Sequence, residues 1–149
     1  LLSQDTVTKT IEAPIQETFP NRKEVMWIMG FNVGGLNFLG VELELNPFKN
    51  VSISAGLGLL GCSIGSRIYL NQKITSPFLF IGIKDTGFGS YLDQLSFDFG
   101  KRVYRNNRNS LFFFQVGLGK IINSRTNLVE DNTFKKGDII PSFGLGMSW

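Results

Sequence analysis

Along the last eleven residues, apolar and nearly bare positions alternate one for one. Ile139, Pro141, Phe143, Leu145, Met147 and Trp149 fall on one side of an extended chain, with Ile140, Ser142, Gly144, Gly146 and Ser148 on the other. Side chains of a strand point alternately to its two faces. A soluble core strand sets its apolar face against long polar side chains. This one sets it against glycine and serine, which suits the crowded inside of a narrow barrel whose apolar face looks outward into lipid.

The same period of two runs from Glu24 onward and predicts seven further strands. The first has Val25, Trp27, Met29, Phe31 and Val33 opposite Met26, Ile28, Gly30 and Asn32, and Gly34-Gly35 ends it in a tight turn. The second sends Leu39, Val41, Leu43 and Leu45 outward and Gly40, Glu42 and Glu44 inward. Residues 46–50 form a turn, since proline presets its backbone angle and asparagine tolerates the left-handed one. The third sets Val51, Ile53, Ala55, Leu57 and Leu59 against Ser52, Ser54, Gly56 and Gly58. The alternation then slips phase at Leu60-Gly61-Cys62, read as a tight turn with Cys62 a small turn residue. The fourth strand puts Ile64, Ile68 and Leu70 outward and Gly65, Arg67 and Tyr69 inward, and 71–77 is the next turn.

The fifth strand, 78–84, is apolar on both faces; Leu79, Ile81 and Ile83 are assigned outward, Gly82 and Lys84 inward. A loop at 85–90 precedes the sixth, with Tyr91, Leu95, Phe97 and Phe99 outward and Gln94, Ser96, Asp98 and Gly100 inward. A basic, asparagine-rich turn at 101–109 leads to the seventh, where Phe112, Phe114, Val116 and Leu118 oppose Gln115, Gly117 and Gly119. One long loop, 123–137, precedes the last strand.

Strands of about 10 to 12 residues suffice to cross a bilayer. The expected fold is therefore all-β: an eight-stranded antiparallel up-and-down transmembrane β-barrel over residues 25–149. Eight tilted strands enclose a space that side chains just fill, and closure satisfies every backbone group, as lipid demands. Residues 1–24 are polar and unpatterned, with Pro14 and Pro20, and are expected as a tail outside the barrel. Leu1-Leu2-Ser3-Gln4-Asp5 reads as the end of a secretory signal peptide running into a mature terminus.

Composition narrows the chemistry. The 149 residues fit one domain. They are 42% hydrophobic, yet no apolar run approaches the roughly 18 to 20 residues of a spanning helix. The absence of histidine removes the commonest general base and the usual activator of a serine nucleophile; with a single cysteine it also disfavours zinc and excludes an internal disulfide. Glu130, Asp131 and Asp138 lack the regular spacing of a calcium loop and read as a solvated loop. A net charge of +3, with no basic cluster interleaved with aromatics, offers no nucleic-acid surface. No cofactor is expected. The inward polar set, Glu42, Glu44, Arg67, Lys84, Gln94, Asp98 and Gln115, is expected as a mutually satisfied lumen network, because buried charges cost several kcal/mol unless paired. A narrow polar conduit is the alternative. Glu42 and Glu44 are one strand repeat apart, but they face the lumen, away from a lipid substrate. Trp27, Phe31, Phe97, Phe99, Phe112, Phe114, Phe143 and Trp149 suit interfacial aromatic girdles.

Residues 25–149 resemble the small eight-stranded outer-membrane barrel proteins of Gram-negative bacteria. The most specific element is Phe143-x-Leu145-x-Met147-x-Trp149. It is similar to the terminal-strand signal read by the barrel-assembly machinery, with Trp149 where phenylalanine is more usual. The resemblance implies an integral place in the bacterial outer membrane, in contact with its lipid and lipopolysaccharide. It places both termini and turns 46–50, 71–77 and 101–109 in the periplasm, and loops 34–38, 60–62, 85–90 and 123–137 outside. Three of those loops are shorter than the family usually shows. Arg22, Lys23, Lys49, Lys73, Lys101, Arg102, Arg105 and Arg108 would then gather on the periplasmic side, where anionic headgroups attract them. The expectation is a non-catalytic structural or accessory subunit with a protein partner in the outer membrane or periplasm, within a larger envelope complex. A narrow pore or transporter of small molecules is the second reading. A soluble ligand-binding barrel would require the reverse polarity.

Overall fold

The computed structural model describes residues 21–33, 39–59, 61–86, 92–104, 110–124 and 135–149. They carry eight strands: β1 (Val25–Val33), β2 (Gly40–Leu45), β3 (Val51–Gly58), β4 (Gly61–Tyr69), β5 (Phe78–Thr86), β6 (Leu92–Tyr104), β7 (Leu111–Ser124) and β8 (Ile139–Ser148). Each strand pairs antiparallel with the next, and β8 returns to β1, so the sheet is a closed up-and-down barrel. The seam runs from Ile28 opposite Ser148 to Val33 opposite Phe143. Below it the backbones of Trp27 and Trp149 exchange both bonds, at 3.3 and 3.1 Å. Closure leaves no strand edge to protect. We call the end carrying the start of β1 and the end of β8 the terminal rim, and the other end the loop rim.

Polarity is inside out. Leu57 is 71% exposed and Leu145 49%, whereas Glu44, Arg67 and Asp98 are fully buried. Outward residues line up from strand to strand: Trp27 opposite Leu43, Leu43 opposite Ala55, Ala55 opposite Ile64 and Ile64 opposite Ile83. The wall is thus apolar outside along a continuous row.

Inside, large and bare positions are matched across neighbouring strands. A Cβ at Gly65 or Gly82 would stand 2.6 or 2.5 Å from the Phe80 ring. In the same way Phe78 lies over Gly100, Asp98 over Gly117, Gln94 over Gly119 and Gln115 over Gly144. The glycine face of the sequence is the room that the bulky inward side chains occupy. In β5, where both faces are apolar, this room settles the orientation. Phe78 and Phe80 turn inward and are buried, while Leu79 and Ile83 are exposed.

Four strands differ from the sequence reading. Gly58 pairs with Gly61, so Cys62 lies within β4, exposed opposite Leu57, and is not a turn residue. The odd step between paired glycines is what a two-residue connection requires, and it produces the phase slip. β6 runs on to Tyr104, pairing Arg102 with Phe113, so half of the expected 101–109 turn is strand and Arg102 faces the lumen. β5 and β7 likewise extend to Thr86 and Ser124, with an irregular register at Asp93/Gln94. Strands therefore range from 6 to 14 residues.

Residues 21–24 lie across the terminal rim. Asn21 bridges to Lys73, the Arg22 amide donates to the Gln72 carbonyl at 3.1 Å, and the Asn46 amide donates to the Glu24 carbonyl at 2.8 Å. The tail 1–20, the 34–38 loop, Tyr91, Arg105, Arg108, Glu130 and Asp131 lie outside the described residues.

The fit between bare and bulky positions makes two glycines unequal. A Cβ at Gly117 would meet the backbone of Phe97 and Asp98, whereas one at Gly144 would meet only the Gln115 side chain, at 3.0 Å. Gly117→Ala is expected to destabilise by about 1–3 kcal/mol, and Gly144→Ala by clearly less, in urea titrations of the refolded chain. Equal midpoints for the two would refute this account of the lumen.

Candidate functional site in the barrel lumen

The inward positions assemble two polar clusters separated by rings. Toward the terminal rim, β2 supplies Glu42 and Glu44, β4 supplies Arg67 and Tyr69, and β6 supplies Arg102. Arg67 Nη1 forms an ion pair with Glu42 Oε1 at 2.5 Å and donates to Glu44 Oε2 at 2.9 Å. Arg102 Nη2 donates to the same Glu44 Oε2, and Arg102 Nη1 to the Tyr69 hydroxyl oxygen at 2.7 Å. The Tyr69 hydroxyl in turn donates to Glu44 Oε1 at 2.6 Å. Both oxygens of Glu44 are therefore engaged by charge-assisted or phenolic donors, the strong kind of hydrogen bond.

Toward the loop rim, Lys84 Nζ donates to Asp98 Oδ2 and to Ser142 Oγ, each at 2.7 Å. Gln115 Nε2 donates to the same Asp98 oxygen at 3.0 Å, and the Ser142 hydroxyl at 3.3 Å. This cluster ties β5, β6, β7 and β8 together across the lumen, as the first ties β2, β4 and β6.

Aromatic rings fill the space between. Phe78 and Phe113 stack with centroids 5.9 Å apart and planes 4° from parallel, and Tyr69 leans on Phe78 at 5.3 Å. The Arg67 guanidinium sits 5.3 to 5.4 Å from the Phe78, Phe80 and Phe113 centroids, and Lys84 Nζ lies 5.3 Å from that of Phe80. Each cation thus has a carboxylate on one side and ring faces on another, and both are attractive. Met26, Ile74 and Leu111 close the lumen toward the terminal rim. Arg22 stacks there as well, its guanidinium 3.5 Å from the Tyr69 centroid and Nη2 donating to the Lys49 carbonyl. Burial draws the Arg22 pKa below its ordinary value, while neighbouring Tyr69 and Glu44 pull it back up.

Of the seven lumen residues read from the sequence, six fall into these clusters: Glu42, Glu44 and Arg67 in one, Lys84, Asp98 and Gln115 in the other. Gln94 is buried, but neither of its amide atoms has a partner among the described residues, and it joins neither cluster. Arg102 was hidden because it abuts an asparagine-rich run, although it shares the parity of Asp98 and Gly100. Ser142 was legible as inward, and its bond to Lys84 was not. Phe143, Leu145, Met147 and Trp149 are exposed along the outer face of β8.

The clusters have little capacity for chemistry on a substrate. Glu44 is saturated with donors. Beside Glu42 a cavity of about 30 Å³, bordered by Ile28, Gly30, Gly40 and Gly56, has room for a water molecule or two. Among the described residues no group of three His, Cys, Asp or Glu converges on a point. Asp138, from the last loop, accepts the Lys135 amide at 2.7 Å. What the arrangement does is cross-link strands across the lumen, β2 to β4 and β6 in one cluster and β5 to β8 in the other.

Breaking a buried pair leaves an uncompensated charge, which is costly even where the intact pair adds little. Glu44→Gln should therefore destabilise by about 3–5 kcal/mol. Glu44→Gln with Arg102→Met should cost less than the sum of the two single changes, since they share one network. Strict additivity in denaturant titrations would show that Glu44 and Arg102 are not coupled.

Compared with protein-family models, with curated proteins and with solved structures, the chain matches none of them.

Proposed function

We propose that this protein is an integral barrel of a bacterial outer membrane, sealed along its axis, that serves as a non-catalytic structural or accessory subunit of a larger envelope assembly. The observation that carries the reading is the apolar outer wall around a largely buried ionic interior. Leu57, Leu118 and Val116 are each more than half exposed, and Trp27, Phe99, Phe112 and Leu145 add to the same face. A soluble monomer rarely exposes a contiguous apolar patch beyond a few hundred Å². Hydrocarbon around the wall removes that cost, and the closed strand order presents no free sheet edge to it. The terminal strand Phe143-x-Leu145-x-Met147-x-Trp149, exposed on β8, suits recognition by the barrel-assembly machinery.

The filled lumen argues for the accessory role over the pore. Stacked Phe78 and Phe113, with Arg67 and Arg102 held on Glu44, occupy the axis where ions would pass. Charge is also uneven between the rims. Arg22, Lys23, Lys49, Lys73 and Lys101 stand at the terminal rim with Glu24 as their acidic neighbour, which fits the phospholipid leaflet on the periplasmic side.

In planar bilayers the reconstituted chain is expected to be silent, and a steady ohmic conductance would overturn the sealed-barrel reading in favour of a pore. Extraction from native membranes in mild detergent is expected to bring a stoichiometric protein partner with it. A lone monomer under those conditions would count against the assembly role while leaving the barrel itself untouched.

A further inference from the structure

The terminal rim carries a second feature, outside the lumen. β6 continues past the point where β5 begins opposite Gly100, so its last four residues run beside the turn between β4 and β5. Between them lies a groove of about 390 Å³ bordered by Asn71, Lys73, Ser76, Lys101, Arg102 and Tyr104. Lys73 and Lys101 are exposed, and neither has an ion-pair partner among the described residues. Arg102 is fully buried, and its Nε has no hydrogen-bond partner there. No acidic residue is among the described residues that line the groove. The turn is itself held in shape: the Lys73 amide donates to Asn71 Oδ1 at 2.9 Å and the Asn71 amide to Ser76 Oγ at 3.0 Å.

Arg102 is paired with Glu44. Lys73 and Lys101 have no ion-pair partner among the described residues and attract an anion, and their position limits which one. Val103, exposed and apolar, lines the same groove and pairs with outward Phe112, so the groove opens onto the apolar wall. We propose that it binds the phosphate of an anionic phospholipid, with the acyl chains lying along the wall beside Val103 and Phe99. The phosphate takes its hydrogen bonds from Lys73 and Lys101. This inference rests on the membrane reading above and adds a specific headgroup site to it. Free phosphate shares the headgroup chemistry but draws nothing from the apolar wall.

Native mass spectrometry of the full-length chain in detergent micelles, titrated with phosphatidylglycerol, phosphatidylcholine or inorganic phosphate, tests it. The wild type is expected to retain one phosphatidylglycerol in preference to phosphatidylcholine. K73Q/K101Q should lose roughly thirtyfold in that affinity, from about two juxtamembrane charges, while K120Q/K136Q, which removes two lysines toward the loop rim, retains it. Equal retention by wild type and K73Q/K101Q overturns the site, and inorganic phosphate binding as tightly as the lipid overturns the lipid assignment. Flotation with phosphatidylcholine vesicles separates the two levels. Failure of the wild type to float overturns the membrane reading and the lipid site with it. Flotation without lysine-dependent retention overturns the site alone.

Discussion

A carboxylate held by two guanidiniums and a phenol, in a space with no room for bulk water, is the constraint on which this barrel is built. Glu44 meets Arg67, Arg102 and Tyr69 from two other strands, and none of these groups can be removed without stranding another. Eight strands enclose a lumen that side chains alone fill. Having filled it with ions, the chain must pair them, because an isolated buried charge is far more costly than a buried methyl group. The aromatic rings complete the arrangement: they occupy the volume between the two clusters and present π faces to the cations.

The outer wall follows from the same geometry. Because successive side chains alternate, assigning charge and bulk to one face leaves the other free to be uniformly apolar. Glycine is what reconciles the two. Phe80 needs the room at Gly65 and Gly82, and Asp98 the room at Gly117. Bare residues inside therefore reflect the size of the side chains across from them, and the polarity of the wall and the packing of the lumen are one pattern read from two sides.

Much of the barrel was legible in the sequence because three strands separate large from small almost perfectly. In β3, β7 and β8, the run from Val51 to Gly58, that from Phe112 to Gly119 and that from Ile139 to Ser148 each admit a single assignment of faces. Parity also identified Glu42, Glu44, Arg67, Lys84, Asp98 and Gln115 as inward. Their partners were not legible, since pairing across a lumen depends on the tilt and stagger of the strands and not on spacing along any one of them. Arg102 was missed for a local reason. The Asn106–Asn109 region signals a turn, and periodicity over Lys101 to Tyr104 is too brief to resist it. The slip at Leu60-Gly61-Cys62 shows in the alternation, but Gly61 and Cys62 belong to β4, because a two-residue connection inverts parity without any intervening polar residue.

The seam between β1 and β8 has a consequence for how such a wall comes into being. Gly30 meets Gly146, and Trp27 bonds with Trp149, across nearly the whole length of the barrel sequence. Contacts between residues so far apart can form only after the intervening chain has been gathered, and their entropy of closure is lost before they contribute anything. The cylinder therefore stays open along one side until its final ten residues arrive. Its interior ions share a dry environment only once β8 has joined both β7 and β1.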